Sequence, residues 1–214
     1  MLDIDETGLA DATGDLGAPH RSYVCDVAER DACHNTVTQV AADFGGIDIL
    51  INNAGVVYGT AIDEISADEF HQVMSVNVHG NFQMAQAVIP EIRKRGGGAI
   101  VCMSSIAGQN GGGVFGRSHY ATAKAGIMGL AKALGRELAP EGIRVNAIAP
   151  GTVDNNFTKG RMTREIKDQI AAKVPMGRLG TSDEIANACL FLASELSSYV
   201  TGAVLDVNGG LHIH

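Results

Sequence analysis

The sequence is short of positive charge: 16 Lys and Arg stand against 24 Asp and Glu, a formal net charge of −8. Neutralising phosphates needs a basic face, so this balance argues against a nucleic-acid partner. Long apolar runs are also missing. The longest are strand-sized, far below the roughly 20 residues that a bilayer span requires, and the stretch Met1 to Glu6 is acidic where a signal peptide is basic. No membrane partner and a cytoplasmic location are expected. Cys25, Cys33, Cys102 and Cys189 show no C-x-x-C spacing, so buried, reduced thiols are expected rather than a disulfide or zinc framework. His212 and His214 near the C-terminus do not amount to a ligand set, and no metal is implied. Internal repeats, low-complexity tracts and linkers are absent as well.

What is present suits one packed domain spanning 1–214: 45% hydrophobic residues and 27 glycines in 214 residues can bury one substantial core. Strand-like runs at Ser22 to Cys25, Ile47 to Asn52, Ala99 to Met103, Arg144 to Ala149 and Ala203 to Val207 alternate with helical patterns. That alternation predicts an α/β fold with a doubly wound, Rossmann-like parallel sheet. Capping boxes predict helix starts at Asp26 with Glu29, Ser66 with Glu69 and Thr181 with Glu184.

The chemistry centres on Tyr120 and Lys124. Four residues apart in a helix, they share a face, and a neighbouring cation favours a phenolate, so a lowered Tyr120 pKa is expected. Upstream, the run Ala99 to Met103 ends on Ser104 and Ser105, and strand ends are where parallel sheets place chemistry.

Six motifs in order then resemble the short-chain dehydrogenase/reductase family. They are Asn-Asn-Ala-Gly (Asn52 to Gly55), Asn-Val-x-Gly (Asn77 to Gly80), Ser-x-x-Gly (Ser105 to Gly108), Tyr-x-x-x-Lys (Tyr120 to Lys124), Arg-Val-Asn-x-Ile-x-Pro-Gly (Arg144 to Gly151) and Thr-Gly…Asn-Gly-Gly (Thr201 to Gly210). The resemblance implies an oxidoreductase that interconverts a secondary alcohol and a ketone by hydride transfer. It implies Tyr120 as general acid/base and Lys124 as the group that tunes it and grips the nicotinamide ribose. Ser105 orients the substrate oxygen, with Ser104 as runner-up, and Asn77 holds a water. For the cofactor it implies Asp3 and Ile4 at the adenosine ribose, Asp26 and Val27 at the adenine, Asn53, Ala54 and Gly55 beside the ribose, and Pro150, Gly151 and Val153 at the carboxamide. A carboxylate at Asp3 repels a 2′-phosphate, which implies NAD ahead of NADP. Enoyl reductases of this kind separate Tyr and Lys by six residues, and three lie between Tyr120 and Lys124.

The sequence departs from the family in three places. The expected opening strand and Thr-Gly-x-x-x-Gly-x-Gly turn are missing, so the resemblance is to an N-terminally truncated form in which cofactor binding is weakened and two central strand edges are exposed. Asn155 stands where the family has Thr, and the glycine-rich stretch Gln109 to Ser118 is longer than usual. The stretch Phe157 to Val174 matches the family's substrate lid, its charges Lys159, Arg161, Arg164, Glu165 and Lys167 reading as a solvated face. Apolar residues on two long helices, Phe70, Val73, Met74, Val76, Val78, Phe82 and Met84 on one and Ile127, Met128, Leu130 and Leu134 on the other, predict a homotetramer with a dimer as runner-up. The opposing reading is a truncated, non-catalytic relative with an assembly role.

Overall fold

The computed structural model describes residues 1–214 except Asp15, Gly17, Ala18, Val114, Lys159 and His214. Lys159 in the lid and His214 in the terminal pair therefore lie outside the described residues. Two parallel sheets form. β1 (Leu2–Asp3) pairs with β2 (Tyr23–Val24), while β3 (Ile49–Asn52), β4 (Gly98–Met103), β5 (Ile143–Pro150) and β6 (Val204–Val207) pair in that order. Register runs from Ile49 opposite Ala99, through Ile100 opposite Val145, to Ile148 opposite Leu205. The predicted strands thus recur within a residue or two, in an α/β architecture with parallel strands and helical crossovers.

The sheet is divided where the sequence departs from the family. β1 and β3 each have one paired neighbour, leaving one edge of each unpaired among the described residues. The outcome is visible in side chains: Ile49 is 46% and Ile51 39% exposed, unusual for strand residues in such a fold. The halves still share one core, because α2 (Arg30–Phe44) and α4 (Gly80–Arg95) pack together and bury Cys33, Val37, Met84, Val88 and Ile92 against Leu50, Ile100 and Val145, with Leu2 and Val27 at the margin.

α6 (Ser118–Leu138) buries Ile127, Ala131 and Leu138 against that core, and α8 (Ser182–Ala193) covers the opposite face through Leu192, against Val101 and Ile148. Thr181 and Glu184 make the full capping box predicted for α8. Ser66 caps α3 (Ala67–Met74) through Glu69 N–H, but the Glu69 side chain goes elsewhere. The box predicted at Asp26 is corrected: α2 starts after Glu29, which makes no side-chain cap, because the Asp26 carboxylate closes its own turn onto Ala28 N–H at 2.9 Å. α1 (Glu6–Gly14) was not predicted; it buries only Leu9 and carries no apolar period to read.

Of the residues assigned to an assembly surface, Val73, Met84, Ile127 and Met128 are buried in the chain's own interior, whereas Phe70 and Phe82 stay exposed. Among the described residues no helix is long and apolar enough to cross a membrane.

Candidate active site

Because β3, β4 and β5 are parallel, their C-terminal ends open on one edge, where Asn53, Ser105 and Gly151 follow directly. β4 runs into Ser104 and Ser105, and the two hydroxyls part company. Ser104 is buried and its Oγ donates to the Lys124 carbonyl at 2.7 Å, tying the strand end to α6. Ser105 is half-buried, accepts from Ala107 N–H at 3.1 Å and hydrogen-bonds the Tyr120 side chain. The runner-up serine is thus structural, and Ser105 is the one that faces the phenol.

Tyr120 is 7% and Lys124 2% exposed, and the ammonium lies 5.5 Å from the Tyr120 ring centroid. Lys124 Nζ donates to the Met103 carbonyl at 2.9 Å, leaving two N–H donors. The expected lowering of the Tyr120 pKa is corrected. Burial pushes the phenol up to about 12, with the Ser105 hydrogen bond pulling the other way. Burial brings Lys124 down to about 8. Desolvation of each group outweighs the attraction expected from their spacing.

The Lys124 shift has a measurable sign. Its folded pKa lies below the ordinary 10.5, so between about pH 8 and 10.5 the unfolded chain binds more protons and this group's contribution to stability rises with pH. Lys124→Met is therefore expected to stabilise the fold most below about pH 8, and urea midpoints of the two proteins should converge as pH climbs to about 10.5. A difference that stays constant across the window would show that Lys124 is not desolvated.

Asn77 sits in a π-helical turn, Ser75–His79, between α3 and α4. The widened turn is serviced by side-chain amides: Asn77 Nδ2 donates to the carbonyls of Val73 (2.9 Å) and Val56 (3.0 Å), and Asn81 Nδ2 donates to the Asn77 carbonyl at 2.8 Å. Single π turns inside helices are frequent at functional sites. Asn77 Oδ1 is buried without a partner among the described residues. A methyl group at Gly55 would fall 2.8 Å from that oxygen and 3.4 Å from Lys124 Nζ, so the amide and the ammonium border the space that this glycine leaves open. An unpartnered acceptor beside an ammonium with donors to spare can hold a water or a ribose hydroxyl, and the donor set at this end fits a nicotinamide ribose.

The other end is less prepared. Asn52 is structural, its amide donating to the Asn81 carbonyl at 3.2 Å, while Asn53 and Ala54 are exposed. Asp3 and Ile4 close β1 at the exposed rim, the Asp3 carboxylate accepting from Asp5 N–H at 3.0 Å. Asp26 and Val27 lie half-buried after β2. Pro150 accepts from Ile106 N–H at 2.9 Å, and Val153 bridges to Gly180, so this loop is pinned on both sides of Gly151. Asn155 Oδ1 is taken by Phe157 N–H at 3.0 Å. Among the described residues no His, Cys, Asp or Glu trio gathers to hold a metal.

Two features escaped the sequence reading. His119, next to Tyr120 but on another helical face, is 2% exposed, lies 2.9 Å from Glu69 Oε1 and stacks on Tyr58 at 6.5 Å, holding the start of α6 to α3. Gly116 is the other: a methyl there would meet Tyr120 Cδ1 at 2.3 Å, so the long glycine-rich loop lies directly on the phenol ring. The only advance signal was position, since both flank Tyr120.

The chain has relatives among known proteins and solved structures. A family model described as enoyl-(acyl carrier protein) reductase matches residues 1–212. An uncharacterised short-chain type dehydrogenase/reductase of Sinorhizobium fredii is 44% identical over 218 residues, which cover 100% of this chain and 86% of that protein. The 3-oxoacyl-(acyl-carrier-protein) reductase of Escherichia coli is 36% identical over 208 residues, 97% of this chain and 84% of its own length. A crystal structure from Brucella melitensis, described as a short-chain dehydrogenase/reductase of the glucose/ribitol dehydrogenase kind, superposes with a TM-score of 0.92 at 31% identity, over 100% of this chain and 85% of that one.

Proposed function

The chain belongs to the short-chain dehydrogenase/reductase family, an oxidoreductase family, and from that premise we propose that it interconverts a secondary alcohol and a ketone with a nicotinamide dinucleotide, NAD ahead of NADP. One observation carries the reading: a buried Tyr120 meets Ser105 at the end of β4 with the Lys124 ammonium beside its ring. The three residues between Tyr120 and Lys124 favour carbonyl over enoyl chemistry.

When bound, the nicotinamide supplies or accepts the hydride. Tyr120 Oη gives the substrate oxygen its proton on reduction and takes it back on oxidation, and Ser105 Oγ fixes that oxygen in place. Lys124, with two donors free of Met103, holds the ribose and stabilises the phenolate left behind. Asn77 Oδ1 holds a water through which the proton is replaced. Asp3 faces the adenosine ribose, and Pro150, Gly151 and Val153 the carboxamide. A cytoplasmic homotetramer, with the exposed Phe70 and Phe82 at its contacts, is the assembly we propose.

The test follows dihydronicotinamide absorbance with a panel of ketones and, in reverse, secondary alcohols. Turnover with any member supports the reading; none, under conditions where the cofactor binds, refutes it. Asp3→Ser is expected to move the NAD to NADP efficiency ratio at least about tenfold toward NADP by removing the repulsion of a 2′-phosphate. An unchanged ratio would reduce Asp3 to the turn-closing role its bond to Asp5 describes.

A second reading, assembly without catalysis, draws on the divided sheet, since the described residues place no phosphate-binding turn between the free edges of β1 and β3. Calorimetric titration of a form extended upstream of Met1 decides between them: nicotinamide dinucleotide binding there supports the catalytic reading, and none supports this one.

A further inference from the structure

Arg161 lies in the segment between the 3₁₀ turn Asn156–Thr158 and α7 (Arg164–Ala171). Its charge has no carboxylate partner among the described residues, unlike Lys167, which pairs with Asp154 at 2.6 Å, and Arg178, which pairs with Glu184 at 2.6 Å. The guanidinium is nevertheless held. Nε donates to the Thr158 carbonyl at 3.0 Å, Nη2 donates to the Val57 carbonyl at 3.1 Å across the mouth of the site, and the group lies 5.8 Å from the Phe115 ring centroid. Val57, Ala107, Ala121 and Tyr120 form one buried apolar cluster against which Phe115 packs. The cation is therefore fastened to the apolar cluster that contains the reacting phenol.

Both hydrogens of Nη1 and one of Nη2 remain, a fork that matches a carboxylate end-on. Resting on the oxidoreductase reading above, we propose that Arg161 makes this an enzyme of oxo and hydroxy acids, binding the substrate carboxylate while its carbonyl or hydroxyl carbon meets Tyr120 and Ser105. The physical reason is selectivity. Arg161 is exposed, but its Nε and Nη2 are already engaged, so it has given up part of its conformational freedom before the anion arrives. An interaction with a charged partner then discriminates acid from ester by about tenfold to a hundredfold.

The test uses 3-oxobutanoate, 4-oxopentanoate and 5-oxohexanoate, each beside its methyl ester, so that only charge and reach vary. Saturation-transfer NMR on the chain as it exists measures binding, and nicotinamide-linked kinetics measure turnover. At least one acid should bind about tenfold or more tightly than its ester, and the preference should appear in KM rather than kcat. Arg161→Met should bring that ratio to about one, and Arg161→Lys should keep part of it. The wild-type ratio decides even if Arg161→Met fails to fold. Acids and esters binding alike would overturn the proposal, as would a ratio that survives Arg161→Met. Acid-selective binding that Arg161→Met abolishes, without turnover of any ketone under conditions where the cofactor binds, would leave Arg161 as a carboxylate site and refute the oxidoreductase reading instead.

Discussion

Tyr120→Phe is expected to lower turnover by about 10²- to 10⁴-fold, the usual span for a general acid or base, while nicotinamide dinucleotide binding stays within a few fold. The contrast follows from where the ring sits. Its carbon skeleton packs with Val57, Ala107 and Ala121, contacts that phenylalanine keeps, whereas the hydroxyl reaches Ser105. The change removes one oxygen from the reacting locus and leaves the wall intact. Steady-state rates with paired cofactor titrations read both quantities, and a variant that keeps more than about a tenth of the rate would sink the assignment.

Gly108→Ala should be nearly as damaging without touching a reactive group. α5 (Ala107–Asn110) crosses α6 so closely that a methyl on Gly108 would meet Ala125 N at 2.6 Å and the Lys124 carbonyl carbon at 2.7 Å. Both are backbone atoms, so no rotamer change relieves the clash and the two helices must separate. Overpacking of this kind costs about 1–3 kcal/mol or more, and displacing Lys124 by even about 1 Å can cost up to about 10² in rate. Gly126→Ala in the same helix is the control. Its methyl would find only Val78 Cγ2, at 3.9 Å, and the change should stabilise α6 by up to about 1 kcal/mol. Equal losses from the two variants, in urea midpoint and in kcat, would overturn the argument that the α5–α6 crossing is what makes Gly108 irreplaceable.

The strands were legible because continuous apolar runs such as Ala99 to Met103 are what a sheet covered on both faces requires, and all five predicted runs form strands within a residue or two. The candidate site was legible as a set of positions: Asn77, Ser105 and the pair Tyr120 and Lys124 come from three segments and gather at one end of β4. Its electrostatics were not. Spacing along a helix reveals that Lys124 is near Tyr120, but it contains nothing about how much water each loses, and that loss sets the direction of both pKa shifts. Caps failed for a similar reason. Asp26 and Thr181 look equivalent in sequence, yet only Thr181 reaches its partner N–H, the Asp26 carboxylate having found Ala28 first. Arg161 was read only as part of a solvated face, and His119 was passed over, because their partners, Val57 and Phe115 for one and Glu69 and Tyr58 for the other, are remote in sequence and ordinary in type.

The π turn at Ser75–His79 carries a consequence for changes in chain length. It holds one residue more than a regular helical turn would, with Asn77 and Asn81 supplying the amides that the displaced ladder lacks. Deleting a single residue there would let the ladder close as ordinary α-helix, the lost residue being the one the wide turn absorbs, so the helix downstream would keep its facing. Met84, Val88 and Ile92 would stay in the core, whereas Asn77 would lose the widened turn that holds its amide beside Gly55 and Lys124. A residue deleted from α4 itself has no such slack and would rotate every later side chain by about 100°, so the same missing codon spares the hydrophobic face at one place and misplaces it a turn later.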